Sequence, residues 1–418
     1  MLAYGAEAQS SYKNILLDDQ GSSFFYPPCE PSVAINPFNP SFIVAGSILD
    51  KVYTSSDTGK TWSLDRLKSP YGVYGDPCII AGRKNSFYYL HLSNPSGEAY
   101  SSEAFLDRIV CQRSKDGGKT WNAGGSIGHH KTKDQDKEWA VMSSNYKKIY
   151  CTWTQFDKYE SSAPGDSSSI LFSSSSCKAK KWSAPVRINQ FAGDCLDDDG
   201  TVEGAVPAAG PAGEIYVAWA LDQKIYFDRS FDGGKTWLDR DAVVGEIAGG
   251  WNMVIPGILR CNGMPITVCD LSDGPRRGTI YICWADQRFG SGDTDVWIAR
   301  SMDRGITWSE AIRVNDDKPG KHQFFPWLAI DQATGHLYVV FYDRRNYDDN
   351  STDVYLASSD DGGVTWINER ISESPFVPDK NVFFGDYNNI SASKGIVVPI
   401  WTRCVNSRLS VWTTVIRK

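Results

Sequence analysis

Apolar positions along the chain fall in short runs, broken by turns rich in Gly, Asp, Asn and Ser. Three runs from one stretch show the pattern: 327–331 (WLAID), 336–342 (HLYVVFY) and 353–358 (DVYLAS). An earlier stretch repeats it with GAVPAAG, EIYVAWA and KIYFDRS. Each set predicts three consecutive β-strands: a turn joins the first two, and a longer polar loop leads to the third. No stretch of about 18 apolar residues is present, so the pattern predicts no membrane span.

A fixed motif follows the third strand. Ser55 to Trp62 reads S-x-D-x-G-x-T-W, and the pattern returns at 114–121, 230–237, 301–308 and 359–366. A degenerate copy at 175–182 keeps Ser175 and Trp182 but has Cys177 where the Asp belongs. A short Asp can accept backbone amides in a tight turn, and Gly supplies positive φ there. The Thr-Trp pair opens the next strand, and its indole can fill space between neighbouring units. These aspartates therefore read as turn-formers, not catalytic groups.

Successive motif tryptophans lie about 55–71 residues apart, a period that signals a repeat architecture. Six units carry the motif, and a seventh starts at 384–387 (FGDY), continues through IVVPIWTR and ends on SVWTTVIRK. That last unit has three strands. The segment 13–17 (KNILL) is expected to supply its fourth and close the ring, which removes the exposed sheet edge. A single core rarely grows beyond roughly 250–300 residues. A chain of 418 residues without an internal linker is therefore expected to form one closed repeat domain over 1–418. The expected fold is all-β, a seven-bladed β-propeller, with a six-bladed one as the alternative. Its 15 Trp, 20 Tyr and 37 Gly suit pleated faces and tight turns.

The motif resembles the Asp-box, or BNR repeat, of the sialidase-like superfamily, and the resemblance covers nearly the whole chain from about Pro31. It implies a secreted or cell-surface carbohydrate-active protein, a glycan or polysaccharide partner, and a substrate site on the propeller face opposite the boxes. That face collects the lead-ins to the first strands and the loops after the second. The lead-ins contribute Glu30, Asp76, Lys137, Glu138, Trp139, Glu203, His322, Gln323, Asp386 and Tyr387. The loops contribute His91, Asp222, Asp286, Arg288, Asp343, Arg344, Arg345 and Arg403. Arg288, Arg344 and Arg403 occupy equivalent positions in units five to seven and resemble the arginine cluster with which sialidases hold a carboxylate. The competing reading pairs them with acids of their own loops.

By the same resemblance Tyr387 would be the nucleophile, Glu203 its base and Asp76 the acid. Glu30, Lys137, Trp139 and Asp386 would join the three arginines in binding an acidic glycan. The chain departs from sialidases in having no Arg-Ile-Pro and in its seven units. Two alternatives follow: a non-catalytic glycan- or protein-binding propeller, and a lyase on uronate polymers that would draw on His91, His129, His130, Tyr387 and Arg403.

Charge and cysteines narrow the field. The net charge is −7 and no basic cluster is present, which argues against nucleic acid. The acid-rich segment 194–203 partly resembles a calcium loop, but Cys195 interrupts it, so no cofactor or metal is expected and a solvated loop is the default. None of the ten cysteines has CxxC spacing, and most read as buried thiols, with Cys261 and Cys269 the one conceivable bridge. Residues 1–9 lack the basic and apolar regions of an intact signal peptide.

Overall fold

The computed structural model describes residues 12–20 and 27–418; the segment 1–9, read above for an export signal, lies outside them. Seven antiparallel sheets follow one another around a ring, which makes the molecule a seven-bladed β-propeller and displaces the six-bladed alternative. Their innermost strands, in chain order, are Ser32–Ile35, Cys78–Ala81, Asp134–Met142, Glu203–Ala209, Ile266–Cys269, Gln323–Asp331 and Asn389–Ser393. Neighbouring inner strands touch in sequence, and Ser32–Ile35 meets Asn389–Ser393 to complete the circle.

The ring closes through the N-terminal segment. Ile15–Asp19 pairs antiparallel with Arg408–Thr413 as the outer strand of blade seven, in the register Ile15 to Thr413 and Leu16 to Trp412. The observed strand starts two residues later than the KNILL segment and runs two residues further. Chain ends far apart in sequence thus share one sheet.

Each S-x-D-x-G-x-T-W turn joins the third and fourth strands of a blade. In the first, Ser55 Oγ donates to Asp57 Oδ1 at 2.9 Å and accepts the Gly59 amide at 2.9 Å. Thr61 donates to Asp57 from its hydroxyl at 2.6 Å and from its amide at 3.0 Å. The same four bonds recur around Asp116, Asp232, Asp303 and Asp361. At 175–182 the carboxylate is missing, and Ser175 Oγ donates instead to the Lys181 carbonyl at 2.7 Å.

The turns also tie blades together. Trp237 meets Phe172 of the preceding blade edge-on at 5.1 Å, and Trp308 meets Phe227 likewise at 5.0 Å. Such pairs contribute roughly 0.5–1.5 kcal/mol beyond their buried area. The space between blades is filled by residues such as Trp153, Trp219, Trp284 and Trp401, all fully buried. All ten cysteines are unpaired thiols, Cys261 and Cys269 included, and all but Cys177 are buried. Among the described residues no helix is long and apolar enough to cross a membrane.

Candidate active site at the channel mouth

The inner strands begin with a repeated irregularity. Glu30, Asp76, Lys137 and Phe325 all sit in the left-handed region, at φ 52, 47, 52 and 50°, and Gly204 sits there at φ 74°. The sequence context explains the equivalence. Ser32 and Cys78, two residues after Glu30 and Asp76, each accept an amide from the next blade, Ile79 at 3.0 Å and Ala140 at 3.3 Å. In blades three, four and six the register slips at the same place, between Asp136 and Trp139, Glu203 and Val206, and Phe324 and Trp327. A bulge of this kind re-aims side chains out of the strand alternation. For a residue with a Cβ the left-handed backbone costs about 1–2 kcal/mol, and such strain concentrates at functional sites.

These positions converge on a cavity of about 310 Å³. Its polar lining is Glu30, Asp76, Asp136, Lys137 and Arg260; its aromatic lining is Tyr74, Tyr100, Tyr159 and Phe383; Ile48, Leu49, Leu92 and Leu106 complete it. Tyr100 stands at the rim, 68% exposed, and packs edge-on against Phe105 at 4.7 Å.

An ion-pair chain crosses the mouth from blade to blade. Lys137 donates to Asp386 at 2.6 Å, with both side chains buried. Arg260 grips the same carboxylate, Nε to Oδ1 at 2.9 Å and the adjacent terminal nitrogen to Oδ2, while its other terminal nitrogen holds Asp197. Tyr159 donates to Asp197 at 2.7 Å, and the guanidinium lies over Phe383 at 5.3 Å. Burial would raise Asp386, but the charges of Arg260 and Lys137 hold it down at about 2. Burial would lower Lys137, but Asp386, Asp76 and Asp136 together raise it well above the usual lysine range. Both cations are therefore charged and internally neutralised.

Beside this chain lies a cluster of acids, Glu30, Asp76 and Asp136, each of which influences the protonation of a neighbour in the cluster. Burial pushes Glu30 and Asp76 up to about 7, partly offset by Lys137, and pushes Asp136 well above the carboxylate range. Asp136 also accepts the Lys137 amide at 2.9 Å, and Glu30 accepts the Asp386 amide at 3.2 Å.

Trp139, Trp327 and Tyr387 pack together, with ring centroids 4.3 Å apart for the two indoles and 5.0 Å for Trp139 and Tyr387. Trp139 and Trp327 also line a separate space of about 300 Å³ bounded by residues of the inner strands. Tyr387 is buried, its hydroxyl has no partner among the described residues, and it does not line the mouth cavity. Burial raises Tyr387 well above the phenol range, and the acids whose charges add to the rise are Asp76, Glu30, Glu138 and Asp386. Glu203 is fully buried and neither of its oxygens has a partner; burial, then the charge of Asp197, raises it well above the usual range. Of the expected trio, Asp76 lines the cavity, Tyr387 packs with the two indoles while feeling the charges of Asp76 and Glu30, and Glu203 feels those of Asp197, Lys137 and Asp136.

The three arginines expected to converge each serve their own surroundings. Arg288 pairs with Asp286 at 2.6 Å and stacks on Trp297 at 3.7 Å. Arg344 donates to Thr352 at 3.0 Å and to the Pro256 carbonyl at 2.7 Å. Arg403 donates to Ser374 at 3.0 Å and lies over Trp412 at 5.1 Å. None lines the mouth cavity. His91 is buried, held by the Leu92 carbonyl at 2.7 Å, and lowered by burial to about 4; His129 contacts Asp107 at 3.3 Å.

Arg260, Asp136, Asp197 and Tyr159 were not singled out from the sequence. A signal for Arg260 existed: the interval between Trp237 and Trp308 is the longest between boxes, and the extra length is the connection that carries Arg260 across the mouth. Asp197 belongs to the acid-rich segment read for calcium. Its neighbours face other partners: Asp194 accepts Thr201 at 2.7 Å and Asp198 accepts the Gly200 amide at 2.9 Å.

No family model and no curated protein matches the chain. Solved structures do. A protein of unknown function from Dyadobacter fermentans is 14% identical with a TM-score of 0.50 over 98% of both chains. A Penicillium chrysogenum α-L-arabinanase is 14% identical with a TM-score of 0.49, covering 98% of this chain and 99% of that one. The Hadza microbial sialidase Hz136 is 13% identical with a TM-score of 0.48, covering 90% and 73%. The likeness is one of fold.

Proposed function

We propose that the mouth cavity is the active site of a carbohydrate-active enzyme that hydrolyses a glycosidic bond with carboxyl groups. The observation that carries this reading is the meeting of three acids, Glu30, Asp76 and Asp136, in one cavity walled by aromatic rings. Aromatic rings suit the C–H faces of a sugar, and a protonated acid beside an ionised one suits glycoside cleavage.

Asp136 and Glu30 take the opposed roles. Asp136, raised by burial well above the carboxylate range, gives its proton to the leaving-group oxygen. Glu30 serves as the carboxylate that activates water or attacks the anomeric carbon. Asp76 lines the cavity with them. The glycosidic C–O bond breaks, water supplies the new hydroxyl, and its remaining proton restores the acid. Tyr387 and Glu203 support the site from outside the cavity.

The test is a screen of the full chain against oligosaccharides and polysaccharides, followed by release of reducing ends. Glu30→Gln and Asp136→Asn should each lose about 10²–10⁴-fold in kcat while melting as the parent does. Full activity in either variant would remove the mechanism. Retained glycan binding without turnover of any glycan would favour a binding platform.

A further inference from the structure

We propose that the sugar taken by this cavity carries no carboxylate: the site accepts a neutral glycosyl ring and excludes sialates and uronates. This deepens the glycosidase reading of the same cavity and rests on it.

The argument is one of charge and donors. The cavity has two cationic side chains, Lys137 and Arg260, and both are already paired with buried carboxylates. Lys137 is spent on Asp386 at 2.6 Å. Every guanidinium nitrogen of Arg260 already bonds a carboxylate, two to Asp386 and one to Asp197. The remaining polar lining is Glu30, Asp76 and Asp136, so three acids line the cavity beside two cations that Asp386 and Asp197 already offset. A sugar carboxylate would add a further negative charge to this acid-rich space and would compete with Asp386 and Asp197 for their cations. Removing one partner of a buried pair leaves the other charge uncompensated, which the protein resists strongly. Arg288, Arg344 and Arg403 do not line this cavity.

A neutral ring meets no such obstacle. Each sugar hydroxyl both donates and accepts, so it matches a lining that mixes protonated and ionised carboxyls. Tyr74, Tyr100 and Phe383 offer ring faces and edges for the C–H surface. The volume of about 310 Å³ lies at the small end of ligand cavities, which points to recognition of one terminal residue.

A glycan array probed with the full-length protein at low ionic strength tests this. It should present matched chains ending in neutral residues, in N-acetylneuraminate and in galacturonate. Binding to neutral ends at least tenfold above the acidic ends, lost in Tyr100→Ala, supports the proposal. Binding that prefers acidic ends and falls in Arg260→Gln overturns the charge argument and leaves the glycosidase reading standing. Binding to no glycan at all overturns both.

Discussion

Replacing Lys137 with Met leaves Asp386 with one of its two cations in a place water does not reach. Lys137 Nζ lies 2.6 Å from the carboxylate, and the two side chains are 5% and 1% exposed. At that separation and an effective dielectric near 20 the attraction is about 6 kcal/mol. Much of it offsets the cost of bringing both charges out of water. Breaking a buried pair by deleting one partner costs about 3–5 kcal/mol. Arg260 still holds Asp386 after the change, so we expect the lower end, about 3 kcal/mol. Urea unfolding followed by tryptophan fluorescence gives the loss, and a double-mutant cycle with Asp386→Asn isolates the pair. The double variant should lose about 2 kcal/mol less than the sum of the singles. The same substitution removes the strongest influence that lowers Asp76, so the titration of Asp76 should move upward from about 7 and carry the basic limb of activity with it. A loss below about 1 kcal/mol, the range of surface pairs, together with an unmoved pH profile, would refute the buried-network account.

Other expectations follow from the same geometry. Arg288→Met should leave turnover within about threefold, whereas Arg260→Gln should lower it at least tenfold, because Arg260 lines the cavity and Arg288 does not; equal effects in a steady-state assay would restore the arginine-cluster idea. Gly118→Ala should destabilise by about 2–4 kcal/mol, since the residue holds φ 90° and its new Cβ would lie 2.7 Å from Val44 and 2.8 Å from Thr54 of the preceding blade; chemical denaturation reads this directly. Stability should peak on the acid side of neutral. Asp57 and Asp361 are held at about 2 by hydrogen bonds within their turns, so their contribution is present above about 4 and is lost as pH falls towards 2. Glu30 and Asp76 are raised to about 7, so theirs is present below about 4 and is lost as pH rises to 7. Melting should therefore be higher at pH 5 than at pH 8, and the gap should shrink in Glu30→Gln/Asp76→Asn; an unchanged gap would refute the assignment.

Local patterning carried the fold. The S-x-D-x-G-x-T-W turn is specified by four bonds within eight residues, so each copy marks a blade wherever the rest of the chain lies. Five such turns, one degenerate copy and one unit without a turn gave the blade number, and an incomplete last unit pointed to closure by the N-terminal strand. The lead-in acids were also legible, because a polar residue before each inner strand is a pattern in one dimension. Glu30, Asp76, Lys137 and Asp386 do meet.

Tertiary structure decided which charges meet which. Arg288, Arg344 and Arg403 share a position in the repeat, yet their partners are fixed by loop conformations that the repeat does not encode. Arg260 comes from an irregular connection and reaches Asp386, 126 residues away, and only the ring brings them together. Tyr387 packs against Trp139 and Trp327, a contact between three different blades that only the ring creates. Strand period and turn chemistry act over a few residues and leave their mark in the sequence. Burial, proton sharing and ion pairing act across the ring, and only the closed propeller determines them.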